Sequence, residues 1–219
     1  MRIIKELIRL IGDKEKKVRI LEERLIRSVS GSKILNHIPL EELLESSTKE
    51  GVILSEKRKS DYELSPLRAE FDHGRDDYWS RTIFPDGRSY NNVIYLDAPV
   101  GIALLYKGWP EAITGIKCPA VDTLMITQIQ GIQARIRHSD KSKCFHSRGL
   151  APLKWEELLV KSVEYIAKNL RTKCLGIQGS VNNEWKSKTS SLRLFERYDQ
   201  IAKQMGFVES DDGNWYKRI

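Results

Sequence analysis

The spacing of hydrophobic residues changes character near residue 60. Before it, apolar residues recur every three or four positions, which is the period of an amphipathic helix. Residues 3–11 carry one such stripe and residues 18–29 a second. Gly12 and Asp13 separate the stripes, so the sequence predicts two helices, with Asp13 as the N-cap of the second.

From about residue 61, short β-prone runs lie between turn signals instead. Strands are predicted at 92–97, 101–106, 111–117, 122–130, 174–178 and 214–218, with helices after Pro39, from Pro152 and at about 191–205. The strands on either side of the long helix from Pro152 should be parallel, in a right-handed crossover. The sequence therefore predicts an N-terminal helical appendage (1–60) and an α/β (α+β) domain (61–219) with a mixed, mainly antiparallel sheet and flanking helices.

The formal net charge is +7, which fits attraction to nucleic acid, an anionic membrane or a phosphorylated small molecule. No apolar run approaches the roughly 20 residues that cross a bilayer, and the N-terminus does not resemble a secretory signal. We therefore expect a soluble cytoplasmic protein without a transmembrane segment. Three cysteines without a C-x-x-C pair indicate neither a disulfide framework nor a zinc site, and 72–77 has no metal-ligand spacing, so no metal site is predicted.

A glycine-containing turn precedes the helix predicted from Pro152. It consists of His146, Ser147, Arg148, Gly149, Leu150 and Ala151. Glycine allows the main chain to approach a ligand closely, and a helix N-terminus carries partial positive charge. The turn is thus a candidate phosphate-binding loop, although a glycine before a helix is also common in purely structural turns.

The spacing of this turn resembles the Q/R-x-x-G-x-G/A loop of the GNAT superfamily of acyl-CoA N-acyltransferases, which binds the pyrophosphate of coenzyme A. Three further segments resemble that superfamily: 108–112 the turn before its third strand, 181–183 the Asn-bearing end of its fifth, and 203–207 its helix-ending Y-x-x-x-G-F element. Residues 128–131, 146–159 and 198–199 also resemble the bacterial VirK/YbjX group. The GNAT resemblance covers about 90–219 and implies acetyl-CoA or another acyl-CoA as cofactor.

The resemblance also implies site residues. The implied cofactor contacts are Gln130, His146, Ser147, Arg148, Gly149, Leu150, Ala151 and Asn183. Glu111 and Asp122 are candidates to take a proton from an amine, while His146 and Tyr198 are candidates to protonate the departing thiolate. Two departures stand out: residues 131–145 are inserted before the loop, and Ala202 replaces the tyrosine that often serves as general acid.

These features lead to one functional hypothesis and one alternative. The hypothesis is an acyl-CoA-dependent acyltransferase acting on an unidentified amine, either a small molecule or a protein. The alternative is a non-catalytic GNAT-fold binding module, whose basic surface, including the basic insertion 131–145, binds nucleic acid or another anionic partner. In addition, the apolar stripes of the N-terminal helices would allow a homo-oligomer.

Overall fold

The computed structural model describes residues 2–31, 34–70, 81–84, 87, 96–132, 149–183 and 191–219. Its helices are α1 (Arg2–Ser30), α2 (Leu40–Ser46), α3 (Glu56–Lys59), α4 (Trp155–Asn169), α5 (Ser191–Leu194) and α6 (Ile201–Gln204). A π-helical segment, Phe195–Gln200, joins α5 to α6, and 3-10 turns lie at Leu35–His37 and Ser180–Asn182. The strands are β1 (Tyr62–Glu70), β2 (Arg81–Ile83), β3 (Val100–Tyr106), β4 (Trp109–Ala120), β5 (Thr123–Gly131), β6 (Cys174–Ile177), β7 (Val208–Glu209) and β8 (Trp215–Arg218).

The strands form one eight-stranded sheet in the order β2-β1-β3-β4-β5-β6-β8-β7. Every neighbouring pair is antiparallel except β5 and β6, which are parallel and are connected through α4. The predicted mixed, mainly antiparallel sheet with flanking helices is therefore confirmed. So are five of the six predicted strands, with somewhat different ends. The exception is 92–97: residues 92–95 lie outside the described residues, and Leu96 and Asp97 are not in a strand.

One hydrophobic cluster joins the helices to the sheet. Leu25 and Val29 of α1 are fully buried in it, together with Leu44 of α2 and Leu159 of α4. Each such side chain contributes about 1.5 to 3 kcal/mol when it leaves water, so these contacts hold α1, α2 and α4 against the sheet. The N-terminal segment thus shares a core with the strands, and the division at residue 60 stays a prediction.

Helix α1 is continuous, so the predicted break at Gly12 and the N-cap role of Asp13 are wrong. A glycine inside a helix costs only about 1 kcal/mol relative to alanine, and nothing lies within 4 Å of the position a Cβ would occupy at Gly12. The helix ends at Ser30, just after the predicted second stripe, with the Gly31 N–H donating to the Arg27 carbonyl at 3.1 Å. Side chains 10–17 are all exposed, and the α1 side chains described as buried, Leu21, Leu25 and Val29, lie in the second half of the helix.

Helix α4 begins at Trp155 rather than at Pro152. The residues before it form a turn that pairs with the N-terminal part of the chain instead of a first helical turn. Leu153 forms an antiparallel bridge with Thr48, and the Lys49 N–H donates to the Pro152 carbonyl at 2.9 Å. These bonds separate Gly149 from the helix N-terminus, which the sequence had placed directly after the turn.

Candidate functional site

Strands β5 and β6 separate half-way along β5. Their parallel pairing runs from Thr123 opposite Cys174 to Ile126 opposite Ile177 and then stops. On the other side of β5, the register with β4 shifts so that Thr127 is bulged. A bulge bends its strand, and bulges are common beside active sites. The second half of β5 therefore has one edge directed away from β4 into a gap between β5 and β6.

Tyr198 of the π-helical segment occupies this gap. Its side chain is 3% exposed, and its hydroxyl accepts a hydrogen bond from the Ile129 N–H at 3.0 Å. The same hydroxyl is hydrogen-bonded to the side chain of Asn183, which follows the Ser180–Asn182 turn after β6. The structure thus brings two predicted site residues, Tyr198 and Asn183, together on the backbone of β5.

The environment of Tyr198 keeps its phenol protonated. Burial raises the pKa of Tyr198, and its hydrogen bonds to Ile129 and Asn183 only partly oppose this effect. The negative charge of Asp97 raises the pKa further, whereas the positive charge of Arg197 lowers it. In neutral solution this residue can therefore give a proton but cannot take one.

Asp97 is a carboxylate near the gap that the sequence did not single out. Its Oδ1 accepts a hydrogen bond from Thr127 Oγ1 at 2.9 Å, and its N–H donates to Gln128 Oε1 at 3.2 Å. A Cβ at Gly115 would lie 2.8 Å from Asp97 Oδ1, so a glycine is needed there to make room for the carboxylate. The available sequence signal was an Asp following an apolar run, which is common at strand ends; the bulge that brings it to Thr127 has no clear sequence pattern.

The residue after Tyr198, Asp199, forms hydrogen bonds on the other side of the gap. Asp199 Oδ1 accepts hydrogen bonds from the Ser180 N–H at 3.1 Å and from Trp215 Nε1 at 2.8 Å. Tyr198 therefore contacts β5 while Asp199 contacts the turn after β6 and strand β8. Short π-helical segments are frequent at functional sites because the extra residue reorients side chains. Here the segment directs two consecutive polar side chains to opposite sides of the gap.

Gly149 is buried against the protein itself. Its carbonyl accepts a hydrogen bond from the Tyr62 hydroxyl at 2.6 Å. A Cβ at this position would lie 2.7 Å from Tyr106 Cβ and 3.2 Å from the carboxyl carbon of Glu111. Packing against Tyr106 therefore explains this glycine without a ligand. Its neighbours in the loop, His146, Ser147 and Arg148, lie outside the described residues, as does the basic segment 133–145.

The other predicted contacts lie at the same end of β5. Gln130 is partly buried, and its Oε1 accepts a hydrogen bond from Gln128 Nε2 at 2.8 Å. Leu150 is buried near Gly131, whereas Ala151 is exposed. Glu111, the third residue of β4, lies beside Gly149 rather than between β5 and β6.

Asp122 lies apart from these residues, at the opposite end of β5. It occupies the turn between β4 and β5, and its carboxylate forms an ion pair with Lys173 at 3.2 Å. At about 3.3 Å per residue, the strand separates Asp122 from Ile129 by roughly 20 Å. An antiparallel hairpin necessarily places its turn at the end away from its open strand ends, so Asp122 and Glu111 do not meet.

The N-terminus of α4 carries its own negative charges. Glu156 and Glu157 lie in its first turn, where carboxylates interact favourably with the helix dipole. Burial raises the pKa of Glu156, and the charges of Arg197 and Lys49 oppose that rise. Arg197 also lies 5.7 Å from the centre of the Trp155 ring. Because its own carboxylates occupy this end of the helix, it is less suited to a phosphate than the sequence predicted.

The described ranges contain neither a candidate metal site nor a candidate membrane span. No group of three or more His, Cys, Asp or Glu residues there could hold a metal ion, and 72–77 lies outside those ranges. Among the helices described, none has the length and apolar character needed to span a bilayer.

Comparison with known proteins gives little further information. No family model matches the chain, and no curated protein sequence matches it. One of the solved structures that match is a "putative streptothricin acetyltransferase" from Bacillus anthracis in complex with acetyl coenzyme A. It aligns with a TM-score of 0.32 and 14% identity, over 73% of this chain and 87% of that chain. So distant a likeness carries no argument about this chain, and the VirK/YbjX resemblance has no matching family model.

Proposed function

We propose that the protein transfers an acyl group from an acyl-coenzyme A to an amine, with the thioester arm lying between β5 and β6. The observation that carries this proposal is the open edge of β5 beside the Tyr198 hydroxyl. A strand edge that lacks a partner strand can bind an extended, amide-containing ligand through its backbone groups. The pantetheine arm of coenzyme A is such a ligand, since it contains two amides.

The residues at the gap have distinct roles in this proposal. A bound acyl-coenzyme A supplies the acyl group as a thioester. The Ile129 N–H donates to the carbonyl oxygen where negative charge develops, after exchanging its bond to Tyr198. Tyr198 holds the proton that the leaving sulfur needs, and its raised pKa keeps that proton in place at neutral pH.

A carboxylate must remove the proton of the attacking amine. We assign this role to Asp97, because its charge already acts on Tyr198 and Thr127 orients it. As the nitrogen–carbon bond forms and the carbon–sulfur bond breaks, the amine proton passes to the carboxylate and the Tyr198 proton passes to sulfur. Pyrophosphate binding by 146–151 stays a prediction, as do the roles of Glu111 and Gln130.

Isothermal titration with coenzyme A and acetyl-coenzyme A tests the proposal. We expect saturable heat and a rise in melting temperature, because a ligand that binds only the folded state stabilises it. Asn183→Ala should weaken binding by about threefold to tenfold, the size expected for a side-chain hydrogen bond. Leu192→Ala, a truncation of an exposed residue, is the control. Absence of heat and of any thermal shift at millimolar ligand would overturn the proposal.

A non-catalytic binding module is the second candidate. Two observations favour it. The Ile129 N–H already donates to the Tyr198 hydroxyl, so it is not open to a thioester carbonyl. The first turn of α4 already carries two glutamates, which offset the positive end of the helix dipole. Fluorescence anisotropy with short RNA and DNA duplexes, at low and at physiological salt, tests it. Binding that falls steeply with salt, in a protein that does not bind coenzyme A, would establish this candidate. Salt-insensitive or undetectable binding would remove it.

A further inference from the structure

Two cavities border the C-terminal helical segment. The first, of about 680 Å³, lies between α4, the end of α6 and β8. The second, of about 590 Å³, opens between the π-helical segment, the Ser180–Asn182 turn and the β7–β8 hairpin. The residues used below are Val181, Phe195, Asp199, Lys203, Glu209 and Trp215, all of which line it. We call it the hairpin cavity.

The rim of the hairpin cavity is fixed by close backbone packing. A Cβ at Gly179 would overlap the carbonyl of Gly213 at the tip of the β7–β8 hairpin, so the turn and the hairpin touch main chain to main chain. Asn182 Nδ2 donates to the Asp212 carbonyl at 2.7 Å and to Asn214 Oδ1 at 3.0 Å. The Gly179 N–H donates to the same Asn214 oxygen at 3.1 Å. The cavity is therefore preformed by the fold.

The mouth of the cavity is apolar and partly aromatic. Val181 is 60% exposed and Phe195 is 48% exposed, although both are large hydrophobic residues. The half-buried Trp215 forms part of the wall. Exposed apolar side chains around a concave surface are typical of a small-molecule site with a hydrophobic ligand.

The charge of the cavity is opposite to that of the whole chain. Two carboxylates, Asp199 and Glu209, and one cation, Lys203, line it, in a protein whose formal net charge is +7. Asp199 is 8% exposed and is held by hydrogen bonds from the Ser180 N–H and Trp215 Nε1. Carboxylates and aromatic faces both attract a cation, the second through the ring quadrupole.

We propose that the hairpin cavity binds a primary ammonium group attached to an aromatic or apolar body, and that this ligand is the amine acceptor. The role of acceptor site rests on the acyl transfer proposed above, whereas the preference for an ammonium ligand rests on the cavity alone. The two sites share the π-helical segment, because consecutive residues serve them. Tyr198 reaches into the strand gap, and Asp199 lines the cavity.

Nuclear magnetic resonance of the full chain, labelled with nitrogen-15, tests this proposal. The indole N–H of Trp215 is the reporter because it donates to Asp199 at 2.8 Å, and Trp215→Phe assigns its signal among those of the five tryptophans. The probes are 2-phenylethylammonium, the neutral 2-phenylethanol and the anionic phenylacetate. We expect a saturable shift of the Trp215 signal with the ammonium probe and about tenfold weaker effects with the other two.

Three variants refine the test. Phe195→Ala should weaken the ammonium probe by about threefold to tenfold through loss of the aromatic face. Leu192→Ala, which truncates an exposed apolar residue of the adjoining α5 outside the cavity lining, should leave binding of the ammonium probe unchanged. Lys203→Gln removes the one cation among the described residues of the lining and should tighten binding by about twofold to fivefold.

The proposal is overturned if the three probes act equally, if phenylacetate binds best, or if the Trp215 signal does not move at tens of millimolar probe. Titration of coenzyme A into the same sample separates the two proposals. Coenzyme A binding without any Trp215 response to the ammonium probe would remove the acceptor site and leave the acyltransferase. An ammonium response without coenzyme A binding would keep the cavity as an amine site and remove acyl transfer.

Discussion

Tyr62 and Tyr198 are both buried at the same end of the sheet, and each hydroxyl bonds to the backbone. Tyr62 donates its proton to the Gly149 carbonyl, whereas the Tyr198 hydroxyl accepts from the Ile129 N–H. Burial raises the pKa of both, that of Tyr62 to about 12. Burial and a raised pKa therefore do not distinguish a structural tyrosine from a candidate proton donor. The direction of the hydrogen bond distinguishes them. The Tyr62 hydroxyl donates its hydrogen to a backbone carbonyl, whereas the Tyr198 hydroxyl accepts from a backbone N–H and keeps its own hydrogen for another acceptor.

We expect the largest change in stability from a substitution that overpacks the region around Tyr62. Gly149→Ala places a methyl group 2.7 Å from Tyr106 Cβ and should lower the free energy of unfolding by about 3 kcal/mol. Gly12→Ala, in an open and exposed part of α1, should instead raise it by about 0.5 to 1 kcal/mol. Urea unfolding of both variants measures this. Unchanged stability with lost coenzyme A affinity in Gly149→Ala would show that the glycine serves a ligand after all.

Removing each hydroxyl in turn tests the comparison directly. Tyr62→Phe and Tyr198→Phe should each lower the free energy of unfolding by about 1 to 2 kcal/mol, because each leaves a buried backbone group without its partner. Only Tyr198→Phe should also slow thiol release from acetyl-coenzyme A in the presence of an amine, by about 100-fold. Equal rates for the two variants would place the proton donor elsewhere.

A smaller effect should follow from the charge at the start of α4. Because the pKa of Glu156 is raised in the folded protein, its carboxylate lowers stability as the pH rises from the range of an ordinary glutamate through the folded value. Glu156→Gln removes this dependence. The variant should equal the wild type near pH 4 and exceed it by about 0.5 kcal/mol near pH 7.5, a figure reduced for the partial exposure of the side chain. Unfolding curves at both pH values provide the check, and a variant less stable at the higher pH would contradict it.

Local patterns predicted most of the sheet because alternation and turn residues act within a few positions. Strands such as β3 and β6 could be read in this way, as could the crossover through α4. The start of α4 could not, because it depends on a bridge to Thr48, far away in the sequence. Likewise, the sequence around Gly149 fits both a phosphate loop and a structural turn, and only the packing of Tyr106 against Gly149 favours the turn.

The candidate site was predicted only in part. Tyr198 and Asn183 were identified from the resemblance and do meet at β5. Asp122 was predicted as a proton acceptor because it is a carboxylate at the start of a strand. The sequence does not show at which end of the sheet that strand starts. Asp97 was missed because only the bulge at Thr127 brings it to the gap. Contacts between residues far apart in the sequence depend on strand order and register, which local sequence does not encode.

The bridge between Thr48 and Leu153 has a consequence for the order of folding. It joins parts of the chain about 100 residues apart, and Lys49 adds a second bond there from its N–H to the Pro152 carbonyl. Closing so long a loop is entropically costly and slow compared with forming a hairpin such as β3–β4. We therefore expect the start of α4 to become ordered late, after the antiparallel strands have assembled, so that the end of the protein nearest the proposed site is the last to form.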